Sequence, residues 1–209
     1  MKTTKLLLTV TAAGTLLFSS CGGEQKHDGE TNKETATEES VSEAVTKSVN
    51  LEESSLKWEG KMVGIKAHWG YIDLSEATIE MTGDKVSGGN FVVDMSTIDP
   101  QDENYTEEQT PEKLVGHLSS PDFFDVANHP TASFEVTSAS EDGATLTGNL
   151  TVRGITHEET VENVTVADGS VTGTLTFDRK KYDVSWDSPM QDVVLSNDIP
   201  LTIELKVAS

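Results

Sequence analysis

The chain has 209 residues, a length typical of one domain with appendages, and 35% of them are hydrophobic, which suffices for a soluble core but not for a multi-span membrane protein. Asp and Glu outnumber Lys and Arg by 36 to 15, and the net charge of −21 would repel a phosphate backbone, so the composition excludes a nucleic-acid partner. The single cysteine excludes an internal disulfide framework and a cysteine-rich metal site.

Residues 1–20 are predicted to be a lipoprotein signal peptide. Lys2 and Lys5 precede an apolar run at 6–18, which is shorter than the roughly twenty residues of a membrane-spanning helix. The sequence F-S-S-C that ends at Cys21 resembles the bacterial lipobox, in which the cysteine is acylated and becomes the membrane anchor. The alternative is a simple secretory signal. We therefore expect a cell-envelope protein, with the outer membrane favoured and the domain in the periplasm or at the cell surface.

Residues 21–50 are predicted to be the lipidated N-terminus and a disordered acidic linker. Residues 22–50 contain no aromatic side chain and are rich in Glu, Thr, Ser and Lys, so they cannot bury enough apolar surface to fold. The folded domain is accordingly expected at 51–209.

From Leu51 onward, apolar and polar residues alternate with the period of a β-strand whose one face is buried. Because every strand keeps a polar face, an antiparallel barrel or sandwich is expected, and closure into a barrel removes the exposed edges. Further segments at 69–73 and 160–166 bring the total to about eight to ten strands. The predicted fold class is all-β: a lipocalin-like antiparallel β-barrel of about eight strands with a short helical insertion. The alternating apolar sets are Leu56, Trp58 and Met62; Ala77, Ile79 and Met81; Phe91, Val93 and Met95; Ala132, Phe134 and Val136; Leu146, Gly148, Leu150 and Val152; Val171, Gly173, Leu175 and Phe177; Tyr182, Val184 and Trp186; and Leu201, Ile203, Leu205 and Val207.

Two glycines, Gly148 and Gly173, fall at inward positions of predicted strands. They allow a strand to bend sharply, and a small inward residue also leaves room for a lumen. Both interpretations stay open at this point.

The helical signal is confined to the middle of the chain. Thr110 can cap a helix that begins at Pro111, and Leu114 and Leu118 give it an apolar stripe. The adjacent aromatics Phe123 and Phe124 follow on a turn, where they would plug one end of the barrel or act as a gate to it.

The sequence motifs after the predicted helix resemble those of the YceI-like, polyisoprenoid-binding proteins. Residues 118–126 and 129–134 are similar to the family pattern L-x-S-x-D-F-F-D-V … P-x-A-x-F, residues 147–156 to G-x-L-T-I-x-G-x-T, and residues 177–182 to the D-R-x-x-Y strand. The similarity covers about 51–209. The sequence departs from the pattern in two places. Asp183 replaces a usual Gly, and the segment L-V-G-H-L at 114–118 replaces R-D-x-H-L.

The resemblance implies an exported barrel whose apolar cavity holds an isoprenoid or a similar amphiphilic lipid. We predict that side chains lining this cavity are ligand-binding, with ordinary core packing as the alternative, and that His68, His117 and Arg153 supply polar contacts at its mouth. Phe123 and Phe124 complete the predicted site. The lining candidates are Trp58, Phe91, Phe134, Leu150, Phe177 and Trp186.

Three functions compete on the sequence alone. The favoured one is a membrane-tethered binding module for transport, storage or stress protection; the others are a non-catalytic scaffold of the cell envelope and an enzyme that uses His68 or His117 as a base beside Asp99 or Asp125. We expect no catalysis, no cofactor and no metal, because the chain has no nucleophile–base motif and no metal-ligand spacing. A homodimer is left open.

Overall fold

The computed structural model describes residues 43–63, 66–186 and 194–208, which belong to one compact unit, Ser40–Ser209. The predicted signal peptide, Cys21 and most of the predicted linker lie outside the described residues. The described part contains eleven strands: β1 (Ala44–Val63), β2 (Lys66–Ile72), β3 (Leu74–Thr82), β4 (Lys85–Asp94), β5 (Asp99–Pro100), β6 (Thr131–Ala139), β7 (Leu146–Val152), β8 (Ile155–Ala167), β9 (Ser170–Asp178), β10 (Val194–Leu195) and β11 (Asp198–Val207).

Eight strands form a closed antiparallel barrel. Each of β1, β3, β4, β6, β7, β8, β9 and β11 pairs with the next in this order, and pairing between β11 and β1 closes the ring. Three further strands are not part of this ring. β2 pairs with the later part of β1, β5 pairs with β2, and β10 pairs with the last two residues of β1. The predicted lipocalin-like barrel is confirmed.

The inward face of each strand is apolar, as the alternation predicts. In β7 and β9 every second residue is buried, while most of the others are partly or fully exposed. The core therefore lies inside the barrel, and the Thr-rich face of each strand lies outside.

The one α-helix of the described residues, α1 (Pro111–Leu118), begins where the sequence predicts. The Thr110 hydroxyl accepts a hydrogen bond from the Lys113 N–H at 3.4 Å, and proline occupies the first turn. Two short 3-10 helices, Met95–Thr97 and Arg179–Tyr182, complete the helical structure of the described residues. None of the helices in these ranges is long and apolar enough to cross a membrane.

The two ends of the barrel differ in their connections. The hairpin end carries the compact β3–β4, β6–β7 and β8–β9 turns, and positive φ angles at Gly83 and Gly169 make two of these turns tight. The loop end carries the β7–β8 turn, the connection at 95–130 and the described residues 179–186 and 196–197. Irregular backbone, α1 and both 3-10 helices are thereby gathered at the loop end.

The domain begins earlier than predicted. β1 starts at Ala44 rather than at Leu51, and its first residues pair with β3 from Ala44 opposite Thr82 to Ser48 opposite Thr78. Most of these residues are exposed, so their own composition gives no hydrophobic signal. Backbone hydrogen bonds to a neighbouring strand order them, and those bonds depend on tertiary structure.

The predicted strand through Tyr182, Val184 and Trp186 is wrong. The Asp178 carboxylate caps the Arg179–Tyr182 3-10 helix by accepting the Lys180 N–H at 2.9 Å, and Asp183 ends the helix in the left-handed region with φ of 59°. Aspartate tolerates this conformation better than most residues, which explains why it can stand where the YceI-like pattern has Gly.

Candidate functional site

An elongated apolar cavity occupies the interior of the barrel, with a volume of about 220 Å³. Its lining includes Val86, Leu146 and Val171 near the hairpin end and His68 and His117 at the loop end. The cavity thus runs along the barrel, apolar for most of its length and with both histidines at one end.

Ten of the eleven predicted ligand-binding residues line this cavity. They reach it from six strands, from α1, from the turn after α1 and from the loop after the Arg179–Tyr182 3-10 helix. Contact with a ligand stays a prediction for each of them. The ten are Trp58, His68, Phe91, His117, Phe123, Phe124, Phe134, Leu150, Phe177 and Trp186.

Gly60, which the sequence analysis missed, also lines the cavity. It pairs with His68 across the β1–β2 ladder, and a Cβ added to Gly60 would meet no atom within 4 Å. Part of the cavity is therefore the space that a side chain at position 60 would fill. The only sequence signal was a glycine at an inward position of an alternating strand.

The two glycines that the sequence singled out have different roles. A Cβ on Gly148 would lie 2.6 Å from the Phe134 ring and 2.4 Å from the Glu135 carbonyl oxygen, so Gly148 permits close packing and leaves no lumen. Gly173 does line the cavity, beside Val161. A Cβ on Gly173 would lie 2.8 Å from Val161, so neither glycine leaves open space where a side chain would be.

Aromatic rings pack around His117 at the loop end. Its imidazole makes edge contacts with Phe123 at 5.4 Å and with Trp186 at 4.8 Å between ring centres, and Phe123 packs on Phe124 at 4.9 Å. Phe123 is buried and Phe124 half-buried. This arrangement fits a plug more closely than a freely moving gate.

His117 carries a buried polar atom without a partner. Its Nε2 is shielded from solvent and has no hydrogen-bond partner among the residues that the structure describes, and its ring lines the cavity. Burial lowers the pKa of the imidazole below its ordinary value of 6.5, and the charge of Asp122 only partly opposes this effect. The side chain is therefore neutral near pH 7.

His68 is oriented by a buried carboxylate, which the sequence analysis also missed. Asp102 accepts hydrogen bonds from His68 Nδ1 at 3.1 Å, Trp69 N–H at 3.2 Å, Asn104 N–H at 2.9 Å and the Tyr105 hydroxyl at 2.8 Å. Burial opposes ionisation of Asp102, but these bonds outweigh burial and hold its pKa below the ordinary value. Since a carboxylate only accepts, Nδ1 of His68 carries a proton and its ring orientation is fixed.

The side chains that line the cavity supply little positive charge. No Lys or Arg is found among the described residues that line it, and the lining residue Glu59 is paired with Lys61 at 3.0 Å. The His68 imidazole lies 3.1 Å from the Asp102 carboxylate. Within the described ranges, no group of three or more His, Cys, Asp or Glu side chains is placed to hold a metal ion.

Arg153 is the predicted ligand-binding residue that does not line the cavity. Its guanidinium donates to the carbonyl oxygens of Phe123 at 2.6 Å and Asp183 at 2.8 Å. It therefore holds two loops of the loop end together and acts on the cavity through the position of Phe123.

Arg179 holds in place the loop that contains Trp186. The side chain is fully buried, and it donates to the carbonyl oxygens of Val184 at 2.6 Å, Trp186 at 2.9 Å and Ser196 at 3.0 Å. The sequence placed this arginine within a family motif but gave no sign of its burial.

The carboxylates suggested for an enzymatic role have other partners. Asp99 accepts a hydrogen bond from Gln101 at 2.6 Å, and Asp125 accepts from Asn128 at 3.0 Å. Among the described residues, the carboxylate that bonds a cavity-lining imidazole is that of Asp102, whose partner is His68.

The closed antiparallel barrel and its internal apolar cavity define a lipocalin-like binding fold. The YceI-like domain model matches residues 48–207, so the chain belongs to the YceI-like family.

Solved structures share this fold, and a relative matches part of the sequence. BcnA from Burkholderia cenocepacia superposes with a TM-score of 0.59 at 19% identity, covering 77% of this chain and 99% of BcnA. A polyisoprenoid binding domain from Saccharophagus degradans, implicated in plant cell wall breakdown, gives 0.50 at 10% identity, covering 78% and 97%. A UPF0312 protein from Pseudomonas aeruginosa is 44% identical over 55 residues, which are 25% of this chain and 29% of the relative. The aligned region thus spans less than a third of that relative's length.

Proposed function

We propose that this protein binds an amphiphilic lipid, an isoprenoid or a similar long chain, inside its barrel. The observation that carries the proposal is the elongated cavity, apolar along the strands and with two histidines at the loop end. An apolar chain would lie along the barrel and its head would lie among the loops. The polyisoprenoid binding domain from Saccharophagus degradans has the same fold, which supports this ligand class.

The energetics favour a long chain over a small ligand. Removal of each methylene from water contributes about 0.8 kcal/mol, so a chain of ten buried carbons would gain roughly 8 kcal/mol before the entropic cost of association. The side chains that line the cavity offer few hydrogen bonds to a ligand, so binding affinity has to come from burial of the ligand's apolar chain.

The proposal includes the location. Acylation of Cys21 would tether the barrel to a membrane of the cell envelope, the outer membrane being favoured, and residues 22–43 would give it reach toward lipid in that membrane. Such a tethered carrier would serve lipid transport, lipid storage or protection against stress.

We infer binding rather than turnover. An enzyme acting on an isoprenoid substrate stays the alternative that the His68–Asp102 pair suggests, since an oriented imidazole can act as a base. Release of phosphate from an isoprenoid phosphate by the purified protein, lost in His117→Ala or His68→Ala, would establish that alternative.

The test is native mass spectrometry of the full chain with Cys21→Ser, which removes the proposed acylation site so that any lipid adduct reports on the barrel. A stoichiometric adduct of isoprenoid or quinone mass, released by solvent extraction, is the expected result. A protein of bare chain mass that takes up neither added polyprenol nor quinone would favour the scaffold function instead.

A further inference from the structure

The unpartnered Nε2 of His117 identifies where a ligand's polar atom would lie. Buried polar atoms in folded proteins nearly always have hydrogen-bond partners, and one without a partner carries a free-energy penalty. This nitrogen belongs to a side chain that lines the cavity, between the rings of Phe123 and Trp186. Because the surrounding rings leave Nε2 almost no accessible surface, a ligand oxygen that reaches it as those rings shift would supply the missing bond.

The electrostatics of the cavity restrict what kind of oxygen this is. His117 is uncharged near neutral pH because its ring is buried. The described lining residues contribute no lysine or arginine, and both Arg153 and Arg179 direct their guanidinium groups at backbone carbonyls. A phosphate or carboxylate would enter an acidic protein, with a net charge of −21, and would meet no lysine or arginine among the described residues that line the cavity.

We propose that His117 is the hydrogen-bond partner of the ligand head, and that the cavity selects amphiphiles with an uncharged oxygen head, a hydroxyl or a carbonyl, over the same chain with a phosphate or carboxylate head. This inference rests on the lipid-binding function proposed above. A neutral imidazole suits both oxygens, since Nε2 accepts from a hydroxyl in one tautomer and donates to a carbonyl in the other.

The experiment compares ligands that share one geranylgeranyl chain and differ in the head: a headless hydrocarbon, the alcohol, a quinone and the monophosphate. Their affinities for the full chain with Cys21→Ser are measured by quenching of tryptophan fluorescence, because Trp58 and Trp186 line the cavity. We expect the alcohol or the quinone to bind about tenfold more tightly than the hydrocarbon and the monophosphate. Tight binding of the quinone, whose carbonyl only accepts, would indicate that Nε2 carries the proton.

His117→Phe keeps a ring of similar shape and removes the nitrogen. It should abolish the preference for the alcohol or quinone over the hydrocarbon while the hydrocarbon still binds. His157→Phe is the matched control, because His157 is exposed on the outside of the barrel and bonds the Lys181 carbonyl. It should keep the preference.

A measurement without any variant guards against misfolding. Nitrogen NMR of the histidine-labelled protein should show the His117 Nε2 resonance shift when the alcohol or quinone binds and stay in place when the hydrocarbon binds.

The inference is overturned if the monophosphate binds most tightly or if His117→Phe retains the head preference. It is also overturned if the His117 Nε2 resonance responds to the alcohol and the quinone no differently than to the hydrocarbon. In each of those cases the headless hydrocarbon still binds. Failure of all four probes to bind would instead refute the lipid-binding function itself.

Discussion

His68 and Gly60 face each other across the β1–β2 ladder, and the space beside Gly60 is open cavity. One residue of the pair supplies an oriented imidazole and the other supplies room next to it. The absence of a side chain at position 60 is thus a structural feature of the site, and it can be tested without disturbing packed atoms.

Gly60→Leu should block ligand binding and leave the barrel folded. The new side chain would extend into the cavity, so we expect at least a tenfold loss of lipid affinity, while thermal unfolding shifts by only a few degrees because a Cβ at this position meets no atom within 4 Å. Native mass spectrometry and a thermal melt on the same sample measure both quantities.

Gly116→Ala is the matched control for this prediction. A Cβ at Gly116 also meets open space, but Gly116 lies on the exposed side of α1, away from the cavity. Because alanine is favoured over glycine inside a helix, we expect the free energy of unfolding to rise by about 0.5–1 kcal/mol. We expect no change in lipid affinity. Equal loss of binding in both variants would contradict the placement of Gly60.

The early start of β1 predicts how the chain tolerates truncation. A chain beginning at Ser40 should unfold at the temperature of the full chain, because it keeps the whole compact unit. A chain beginning at Leu51 loses the pairing of Ala44–Ser48 with β3 and the buried Val49, so its midpoint should fall by several degrees. Differential scanning calorimetry of the two chains decides the matter; identical melts would restore the boundary at Leu51.

Arg153→Asn should loosen the loop end. Asparagine accepts the positive φ of 51° at this position but cannot reach the carbonyl oxygens of Phe123 and Asp183. We expect a loss of about 2 kcal/mol in the free energy of unfolding and severalfold faster dissociation of bound lipid. Urea unfolding and stopped-flow release of a fluorescent lipid measure the two effects.

The control for Arg153 is Asp168→Asn, which has the same φ of 51° in the β8–β9 turn at the hairpin end. It should change neither quantity appreciably. If Arg153→Asn releases lipid at the wild-type rate, the loop connection has no role in holding the ligand.

Stability should fall as the pH drops below the ordinary histidine pKa. The folded protein lowers the pKa of His117 below 6.5, so as the pH falls past this value the unfolded chain takes up the proton first and unfolding is favoured. His117→Phe should flatten that part of the profile between about pH 7 and pH 5. Urea titrations at several pH values measure the difference, and parallel profiles for the two proteins would refute the assignment.

Asp102 acts in a separate pH window. Its pKa is lowered below 3.8 in the folded protein, so the stability that it contributes is complete above that value and is lost only as the pH falls through the lower, folded-state pKa. The loss attributed to His117 therefore precedes it on acidification.

The local sequence pattern predicted the barrel and most of its strands, because burial of one face imposes a period of two that is readable residue by residue. The helix at Pro111 was predicted for a similar reason, since a cap, a proline and an apolar stripe are all local signals. The inward residues named from that period, such as Phe134 and Phe177, do line the cavity.

Other features of the molecule depend on atoms that are far apart in the chain. The order of Ala44–Ser48 comes from β3, the orientation of His68 comes from Asp102, and the irregular path after Phe177 follows from a buried Arg179 bonded to backbone carbonyls. Whether an inward glycine opens a lumen is decided in the same way: Phe134 fills the space at Gly148, whereas nothing fills the space at Gly60. Periodicity determines which face of a strand is buried, but only the packed barrel determines which buried polar atoms find partners, and it leaves His117 Nε2 without one in the described part of the chain.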